Sequence, residues 1–269
     1  MRAVVLALCA VLTPVAAPVA RAAPWQLERS DVFSVQRPDG EAYRVMVAWP
    51  EGTAPPGGWP VLWVLDGDDN FALAATTARR LARVEARSGV RPGLVVGISS
   101  GAITRRAMDY TPAVAGYSIS KGTPGHGLPT GGADSFLDFL ERDIRPQIER
   151  RWPIAAEEQT IAGHSFGGLL ALYELAKRGA FRGYAAISPS LWYASGTLQL
   201  NGRPGASILL ASADSETGTA ASISALATHL RSSGARVRLL TLSGQSHGST
   251  MPAAMVQTIS FAFGKDSAP

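Results

Sequence analysis

The chain of 269 residues contains a single cysteine, Cys9. One thiol excludes a disulfide framework and a cysteine-rich zinc site. Cys9 also falls within an N-terminal leader-like segment, so a mature protein without that segment has no cysteine nucleophile. Charged residues are few, at 17%, and the formal net charge is only +4. A modest charge of this kind does not favour a nucleic-acid partner, which usually requires a clustered basic face.

Patterns typical of metal sites are also missing. No H-E-x-x-H or paired-histidine spacing indicates zinc. The acidic run Asp66-Gly67-Asp68-Asp69 lacks the glycine at position six and the glutamate at position twelve of a calcium-binding loop. We therefore expect neither a metal nor a cofactor.

Residues 1–22 have the pattern of a secretory signal peptide. Arg2 supplies the positive start, an apolar run follows, and Ala20-Arg21-Ala22 offers a cleavage site. The alternative, an N-terminal membrane anchor, is disfavoured by the short run and by Pro14 and Pro18 within it. The prediction is an exported, periplasmic protein without a stable membrane anchor, in which residues 23–269 form one domain. The sequence does not give its oligomeric state.

Strand-like and helix-like patterns alternate through this domain. Short apolar runs predict strands over Tyr43–Trp49, Val61–Leu65, Gly93–Ile98, Thr160–Ala162, Gly183–Ile187, Ile208–Ala211 and Arg236–Leu242. Helical periodicity lies between most of them, from residue 70 to 89, 136 to 148, 169 to 175, 223 to 230 and 251 to 262. Such alternation predicts an α/β fold, with a mainly parallel central sheet and helices on both faces.

The same pattern makes three specific predictions about the helices and the connecting loops. Asn70 is the expected cap of the first helix and Gly89 its stop. The second helix is expected to bend at Pro146. Residues 99–132, rich in Gly, Ser, Thr and Pro, are expected to form a long irregular loop at the functional site or on a variable surface.

The segment Gly163-His164-Ser165-Phe166-Gly167 places a serine between a predicted strand and a predicted helix. A turn this tight requires small neighbours, and it lifts the hydroxyl above the sheet edge at a helix N-terminus. The pattern therefore predicts Ser165 as the nucleophile on a nucleophile elbow. The alternative is a glycine-rich turn with a helix-capping serine.

A serine nucleophile needs a base, and His247 follows the last predicted strand and precedes the last helix. That position and the chain order Ser, acid, His match an α/β-hydrolase. The acid should follow the preceding strand, where both Asp214 and Glu216 lie, and the residues alone do not decide between them. His164, inside the elbow, is expected to pack beside the sheet.

The oxyanion of such a reaction needs two donors. The backbone N–H of Phe166 is one candidate, because it follows the nucleophile directly. The second is expected in the loop after the Val61–Leu65 strand, where Gly67 permits a close backbone approach.

Six collinear segments together resemble a known family. They are Val64–Gly67, Arg106–Pro112, Gly131–Leu137, Gly163–Gly168, Ile187–Trp192 and Ser246–Gly248. The chain is similar to the siderophore trilactone esterases of the α/β-hydrolase superfamily, such as enterobactin, salmochelin and ferri-bacillibactin esterases. The resemblance implies a serine hydrolase that opens ester bonds of catechol siderophores, with Ser165 as nucleophile and His247 as base. It slightly favours Glu216 over Asp214, and the family also includes members that work with a Ser–His dyad.

Two side chains are candidates for substrate binding. Arg106 could bind an anionic substrate such as a ferric catecholate, or it could pair with Asp109 and stabilise the loop. Trp192 follows the carboxyl end of a strand, where ligands bind in open α/β sheets, and could stack on a catechol ring or close the core. The expected partner is a small-molecule ester, a ferric siderophore among the candidates.

Other functions stay open at this point, because one fold supports many chemistries. They are a carboxylesterase acting on a feruloyl, acetyl or antibiotic ester, an acyltransferase, and a periplasmic ligand-binding protein with a disused hydrolase fold.

Overall fold

The computed structural model describes residues 24–195 and 197–265. The predicted signal peptide, residues 1–22, lies outside these described residues. The strands are β1 (Ser30–Gln36), β2 (Ala42–Ala48), β3 (Trp59–Leu65), β4 (Leu94–Ile98), β5 (Ile154–His164), β6 (Gly183–Ile187), β7 (Ser207–Ala213) and β8 (Arg236–Leu242). The helices are α1 (Gly67–Ala82), α2 (Glu85–Ser88), α3 (Ile103–Tyr110), α4 (Ala133–Phe139), α5 (Arg145–Arg151), α6 (Phe166–Lys177), α7 (Thr217–Ser232) and α8 (Thr250–Phe263).

All eight strands join one sheet in the order β1-β2-β4-β3-β5-β6-β7-β8. The strands from β4 to β8 pair in parallel, and β1 and β2 add an antiparallel edge. This arrangement confirms the predicted α/β-hydrolase fold. The sequence analysis missed β1, whose side chains are mostly exposed and therefore lack a clear apolar pattern.

Strand β3 shows why the central sheet is covered on both faces. Val61, Trp63 and Leu65 belong to one core cluster, which α4, α5, α6 and α7 complete. The intervening Leu62 and Val64 belong to the other, which α1 and α8 complete. Because successive side chains of a strand point to opposite faces, burial on both sides produces the continuous apolar run seen in the sequence.

The predicted helix over residues 136–148 is interrupted earlier than expected. A π-helical segment, Leu140–Ile144, separates α4 from α5, and Pro146 lies in the first turn of α5. Proline has no N–H to donate to the preceding turn, and its ring crowds the carbonyl four residues earlier. The wider π turn just before it accommodates both effects, so the irregular part of this helix is Leu140–Ile144, directly ahead of the turn that contains Pro146.

Two further expectations need correction. Residues 99–132 are not irregular throughout, because α3 lies within them. Asn70 is not a cap, since α1 already begins at Gly67, and its side chain donates to the carbonyl of Leu65 at 3.2 Å. Gly89 does end the helical stretch, at a φ of 69° that favours glycine.

In the part of the chain that the structure describes, no helix has the length and apolarity needed to cross a membrane.

Because β3 is buried on both faces, substitutions that shorten its side chains should destabilise the fold. Leu62 is fully buried, whereas Leu239, on the edge strand β8, is 41% exposed. Leu62→Ala should lower the free energy of unfolding by about 2–5 kcal/mol, because it removes buried methyl groups and leaves a cavity. Leu239→Ala is the matched control and should cost less than about 1 kcal/mol. Urea denaturation of both variants tests this, and equal losses would contradict the two-sided core.

Candidate active site

Ser165 lies on a sharp turn between β5 and α6. Its backbone has φ 57° and ψ −116°, a region that non-glycine residues rarely adopt. A Cβ atom at Gly163 would lie 2.4 Å from the carbonyl carbon of Gly167, so only glycine fits there. The geometry is that of a nucleophile elbow, with the serine at the N-terminus of α6.

A positive φ recurs at the carboxyl ends of the neighbouring strands. Asp66 follows β3 with φ 52°, and Ser188 follows β6 with φ 42°. Strands β3, β5 and β6 are consecutive neighbours in the sheet. Three adjacent strands therefore end on polar residues with left-handed backbone, which brings Asp66, Ser165 and Ser188 to one edge of the sheet.

His247 and Glu216 form a hydrogen-bonded pair at this edge. The Nδ1 atom of His247 lies 2.7 Å from Oε1 of Glu216. The other carboxylate oxygen accepts hydrogen bonds from the hydroxyl of Ser188 at 2.6 Å and from the N–H of Ala213 at 3.0 Å. Burial alone would raise the pKa of Glu216, but these bonds and that of His247 outweigh it and hold the pKa below its usual value. The carboxylate is therefore ionised at neutral pH and can orient the imidazole.

Asp214, the alternative acid, is engaged elsewhere. Its two carboxylate oxygens accept the backbone N–H of Gly244, at 3.0 and 3.2 Å, in the turn after β8. The structure thus pairs Glu216, and not Asp214, with His247. The sequence could not separate the two, because they stand only two residues apart.

His164 supports the backbone of His247. The two rings are 4.6 Å apart, and Nε2 of His164 lies 2.8 Å from the carbonyl oxygen of His247. Burial, followed by the nearby charge of His247, lowers the pKa of His164 to about 4. The ring is therefore neutral at pH 7, so Nε2 carries the proton and donates to that carbonyl. The hydroxyl of Thr250 donates to the same oxygen at 2.9 Å.

The hydroxyl of Ser165 is poised at the same cavity as His247. Among the described residues its hydrogen bond is with the hydroxyl of Ser190, at 3.2 Å, and not with His247. Hydrogen bonds of a catalytic site are often loose without substrate. A rotation of the Ser165 side chain about its Cα–Cβ bond is what the transfer of its proton to His247 would require.

Two backbone donors lie near the elbow. Phe166 begins α6 and Gly67 begins α1, and within the described chain neither N–H has a hydrogen-bond acceptor. Val64 and Ala162 pair where β3 and β5 run in parallel, so both helices start from the same sheet edge. Phe166 lines the cavity, whereas Gly67 packs against the backbone of Ile98, where a Cβ atom would come within 2.7 Å of the nitrogen.

A cavity of about 460 Å³ opens above the elbow. Its lining comprises Ile103, Arg106, Pro124, Gly125, Leu128, Ser165, Phe166, Ser188, Pro189, Ser190, Trp192, Glu216, Thr219 and His247. A larger cleft, of about 630 Å³, lies at the opposite sheet edge beside the starts of β7 and β8. No histidine or carboxylate lines that cleft, so it offers a serine no base. The described residues contain no cluster of three or more His, Cys, Asp or Glu side chains able to hold a metal.

Arg106 pairs with Asp66, and not with Asp109. Its Nε and one Nη donate to the two carboxylate oxygens of Asp66 at 2.6 and 2.8 Å, and the carbonyl of His164 accepts at 3.1 Å. Asp109 instead contacts Arg37 and the hydroxyl of Tyr43. The Arg106–Asp109 pair, one of the two alternatives from the sequence, is therefore not formed, because α3 turns these two side chains to different neighbours.

Trp192 lies in the turn after β6 and lines the cavity. It is 37% exposed, and its ring centroid is 5.7 Å from that of Phe166. The side chain therefore does not close the core, and its exposed part is available to a bound molecule.

Sequence reasoning missed three polar residues of this site: Asp66 as the partner of Arg106, Ser188 as a donor to Glu216, and Thr250 beneath His247. The sequence contained a signal for two of these residues, Asp66 and Ser188. Asp66 and Ser188 directly follow apolar strand runs, and the carboxyl ends of parallel strands meet at one edge. Thr250 had no such signal, because its role depends on the path of the loop that carries His247.

A family model described as putative esterase matches residues 36–251. The chain belongs to this family. It is 35% identical over 161 residues to the ferri-bacillibactin esterase of Bacillus subtilis, covering 58% of this chain and 56% of that protein. It is 34% identical over 187 residues to the siderophore triacetylfusarinine C esterase of Aspergillus fumigatus, covering 65% and 60%. The match thus spans less than two thirds of each relative's length.

The BES protein from Bacillus cereus shares the fold, with a TM-score of 0.80 and 23% identity over 91% of this chain and 99% of that one.

The partly buried His164 predicts a pH-dependent stability. In the unfolded chain its imidazole takes up a proton near pH 6.5, but in the folded protein only near about pH 4. Between these values the unfolded state binds more protons, so the folded state loses stability as the pH falls from 6.5 towards 4. This contribution should be about 1–3 kcal/mol.

His164→Gln keeps an N–H donor and removes the titration. Urea denaturation at several pH values should show a shallower loss for this variant than for the wild type between pH 6.5 and about 4. The low-pKa Glu216 is common to both proteins and cancels in the comparison. Identical pH slopes would show that His164 does not titrate as described.

Proposed function

We propose that the protein is a serine esterase that hydrolyses ester bonds of siderophores. The observation that carries the proposal is the hydrogen bond between Nδ1 of His247 and Glu216, at 2.7 Å, beside a serine held on a strained strand-to-helix turn. Nucleophile, base and acid line one cavity. An oriented base next to an exposed hydroxyl is the arrangement that activates serine for acyl transfer.

In the first half of the reaction, Oγ of Ser165 attacks the ester carbonyl carbon and its proton passes to Nε2 of His247. The ionised Glu216 stabilises the resulting imidazolium through Nδ1–H. The free backbone N–H of Phe166, with that of Gly67 as the second candidate, would donate to the oxyanion of the tetrahedral intermediate. The intermediate then expels the alcohol, which takes the proton from His247, and an acyl-enzyme remains.

The second half repeats these steps with water. His247 accepts a proton from a water molecule, whose oxygen attacks the acyl carbon. The new tetrahedral intermediate then collapses to the carboxylic acid, and His247 returns the proton to Oγ of Ser165 as the bond between that oxygen and the acyl carbon breaks. His164 and Thr250 would keep the base in place through both halves, because each donates to the carbonyl of His247.

The substrate class is drawn from the relatives. The two relatives compared above are named as a ferri-bacillibactin esterase and a siderophore triacetylfusarinine C esterase, at 35% and 34% identity over part of their lengths. The cavity has the apolar and aromatic walls that a flat acyl group requires, with Phe166, Trp192 and Leu128 among them. We also propose that the protein is exported, a proposal that rests on the sequence of residues 1–22 alone.

Replacing the nucleophile should abolish turnover. Ser165→Ala should lower kcat for a 4-nitrophenyl ester by about 10⁴-fold or more, because it removes the hydroxyl that would form the acyl-enzyme. Ser190→Ala, which removes the hydroxyl bonded to Ser165, is the control and should keep measurable turnover. Circular dichroism establishes that both variants are folded. A folded Ser165→Ala variant with near wild-type kcat would refute the proposal.

The two candidate acids can be separated by amide substitutions of equal size. Glu216→Gln should lower kcat by about 10²- to 10⁴-fold, because an amide cannot stabilise the imidazolium that forms on His247. Asp214→Asn should leave kcat close to that of the wild type, since Asp214 contacts only the turn at Gly244. Steady-state kinetics with one aryl ester measures both. A larger loss for Asp214→Asn would assign the role of the acid to Asp214.

A further inference from the structure

The cavity beside Ser165 contains one arginine, Arg106, and no lysine among its lining residues. The charge of Arg106 is already compensated. Its guanidinium is bound in a bidentate way by Asp66, and the side chains of both residues are largely buried, at 17% and 8% exposure. Burial alone would lower the pKa of Arg106, but the bonds and charge of Asp66, together with Asp69 nearby, raise it. The pair is therefore fixed in its ionised form.

The remaining charge at the cavity is negative. Glu216 is held ionised by its hydrogen bonds, and His247 must be neutral to act as a base. With Arg106 and Asp66 cancelling each other, the lining and its immediate partner carry one net negative charge. A negative group on a ligand would meet repulsion here, and in a partly buried site that repulsion is only weakly screened.

Basic side chains outside the cavity lining do not reverse this balance. Arg105 is paired with Glu41, and Arg44 with Asp68. Lys121 is exposed on the loop that supplies Pro124, Gly125 and Leu128 to the cavity, so water and salt screen its charge. His126, on the same loop, is engaged through Nδ1 with the carbonyl of Ile119.

The walls of the cavity are suited to uncharged groups. Ile103, Leu128, Phe166, Pro189 and Trp192 supply apolar and aromatic surface. The polar groups between them are mostly hydroxyls, which bind neutral carbonyl, phenol and amide groups by hydrogen bonds. The cavity thus combines apolar contact with a neutral hydrogen-bonding surface.

We propose that the site selects ester substrates that carry no net negative charge near the scissile bond. This inference rests on the proposed function, because it names the charge class of that same substrate. A ferric tris-catecholate is triply negative, since each catecholate brings two negative charges to the ferric ion. An iron-free catechol ester, whose phenols are protonated at neutral pH, and a ferric tris-hydroxamate are both uncharged. The site therefore accepts these two and disfavours the ferric tris-catecholate.

The direct test uses two aryl esters that differ only in charge. Mono-4-nitrophenyl adipate ends in a carboxylate, and 4-nitrophenyl adipamate ends in a primary amide of nearly the same size. At fixed ionic strength and neutral pH, with spontaneous hydrolysis subtracted, the wild type should cleave the amide with a kcat/KM about tenfold or more above that of the carboxylate. Equal values, or faster cleavage of the carboxylate, would overturn the inference. Cleavage of neither ester would instead count against the proposed esterase.

A substitution at Asp66 tests whether the Arg106–Asp66 pair causes the preference for uncharged substrates. Asp66→Asn leaves Arg106 without its carboxylate partner, so the carboxylate-to-amide ratio of kcat/KM should rise about tenfold. The matched control is Glu41→Gln, which frees Arg105 outside the cavity and should leave the ratio unchanged. Because the ratio is taken within each variant, a general loss of activity in Asp66→Asn cancels. An unchanged ratio in a folded, active Asp66→Asn variant would contradict the role assigned to the Arg106–Asp66 pair.

The same comparison can be made with a siderophore as the substrate. Chromatography should show faster cleavage of an iron-free tris-catechol trilactone than of its ferric complex. Preference for the ferric complex would overturn the inference while leaving esterase activity itself established.

Discussion

The backbone of Ser165 is the constraint on which the site depends. Its φ of 57° and ψ of −116° carry the chain from β5 into α6 within one residue, and this strained turn leaves the hydroxyl at the sheet edge. The turn can persist only because its surroundings hold it. Gly163 passes against the backbone of Gly167, and the N–H of Ser165 donates to the carbonyl of Ile187 on the neighbouring strand. Strain of this kind costs stability and is found where function requires it.

The remaining parts of the site follow from the same edge of the sheet. Strand β3 leads to Asp66 and α1, β6 leads to Ser188, and β7 leads to Glu216. Ser188 links two of these elements, since its hydroxyl donates to Glu216 and also contacts Thr250 beneath His247. Glu216 and His247, the proposed acid and base, are therefore held by hydrogen bonds to each other and to their neighbours. In the proposed mechanism only the hydroxyl of Ser165 has to turn for the reaction to begin.

Much of this arrangement was predictable from the sequence, for physical reasons. Strands buried on both faces leave continuous apolar runs, so β3, β4 and β6 were identifiable, whereas the exposed edge strand β1 left none. The positions of Ser165 on a strand-to-helix turn and of His247 after the last strand were predictable, because the glycines around the turn and the order of strands and helices indicate them. The partner of Arg106 was not, because Asp66 lies forty residues away and the choice between it and Asp109 depends on how α3 packs. The same limit applies to Asp214 and Glu216, whose separation by two residues only the folded loop resolves.

The proposed mechanism requires Ser165 to be an activated nucleophile. A fluorophosphonate phosphonylates activated serines, so the wild-type protein can be labelled with it and the labelled peptides sequenced by mass spectrometry. We expect one phosphonyl group on Ser165, in the peptide containing Gly163-His164-Ser165-Phe166-Gly167. An unlabelled folded protein, or a label on Ser188 or Ser190 in place of Ser165, would contradict it.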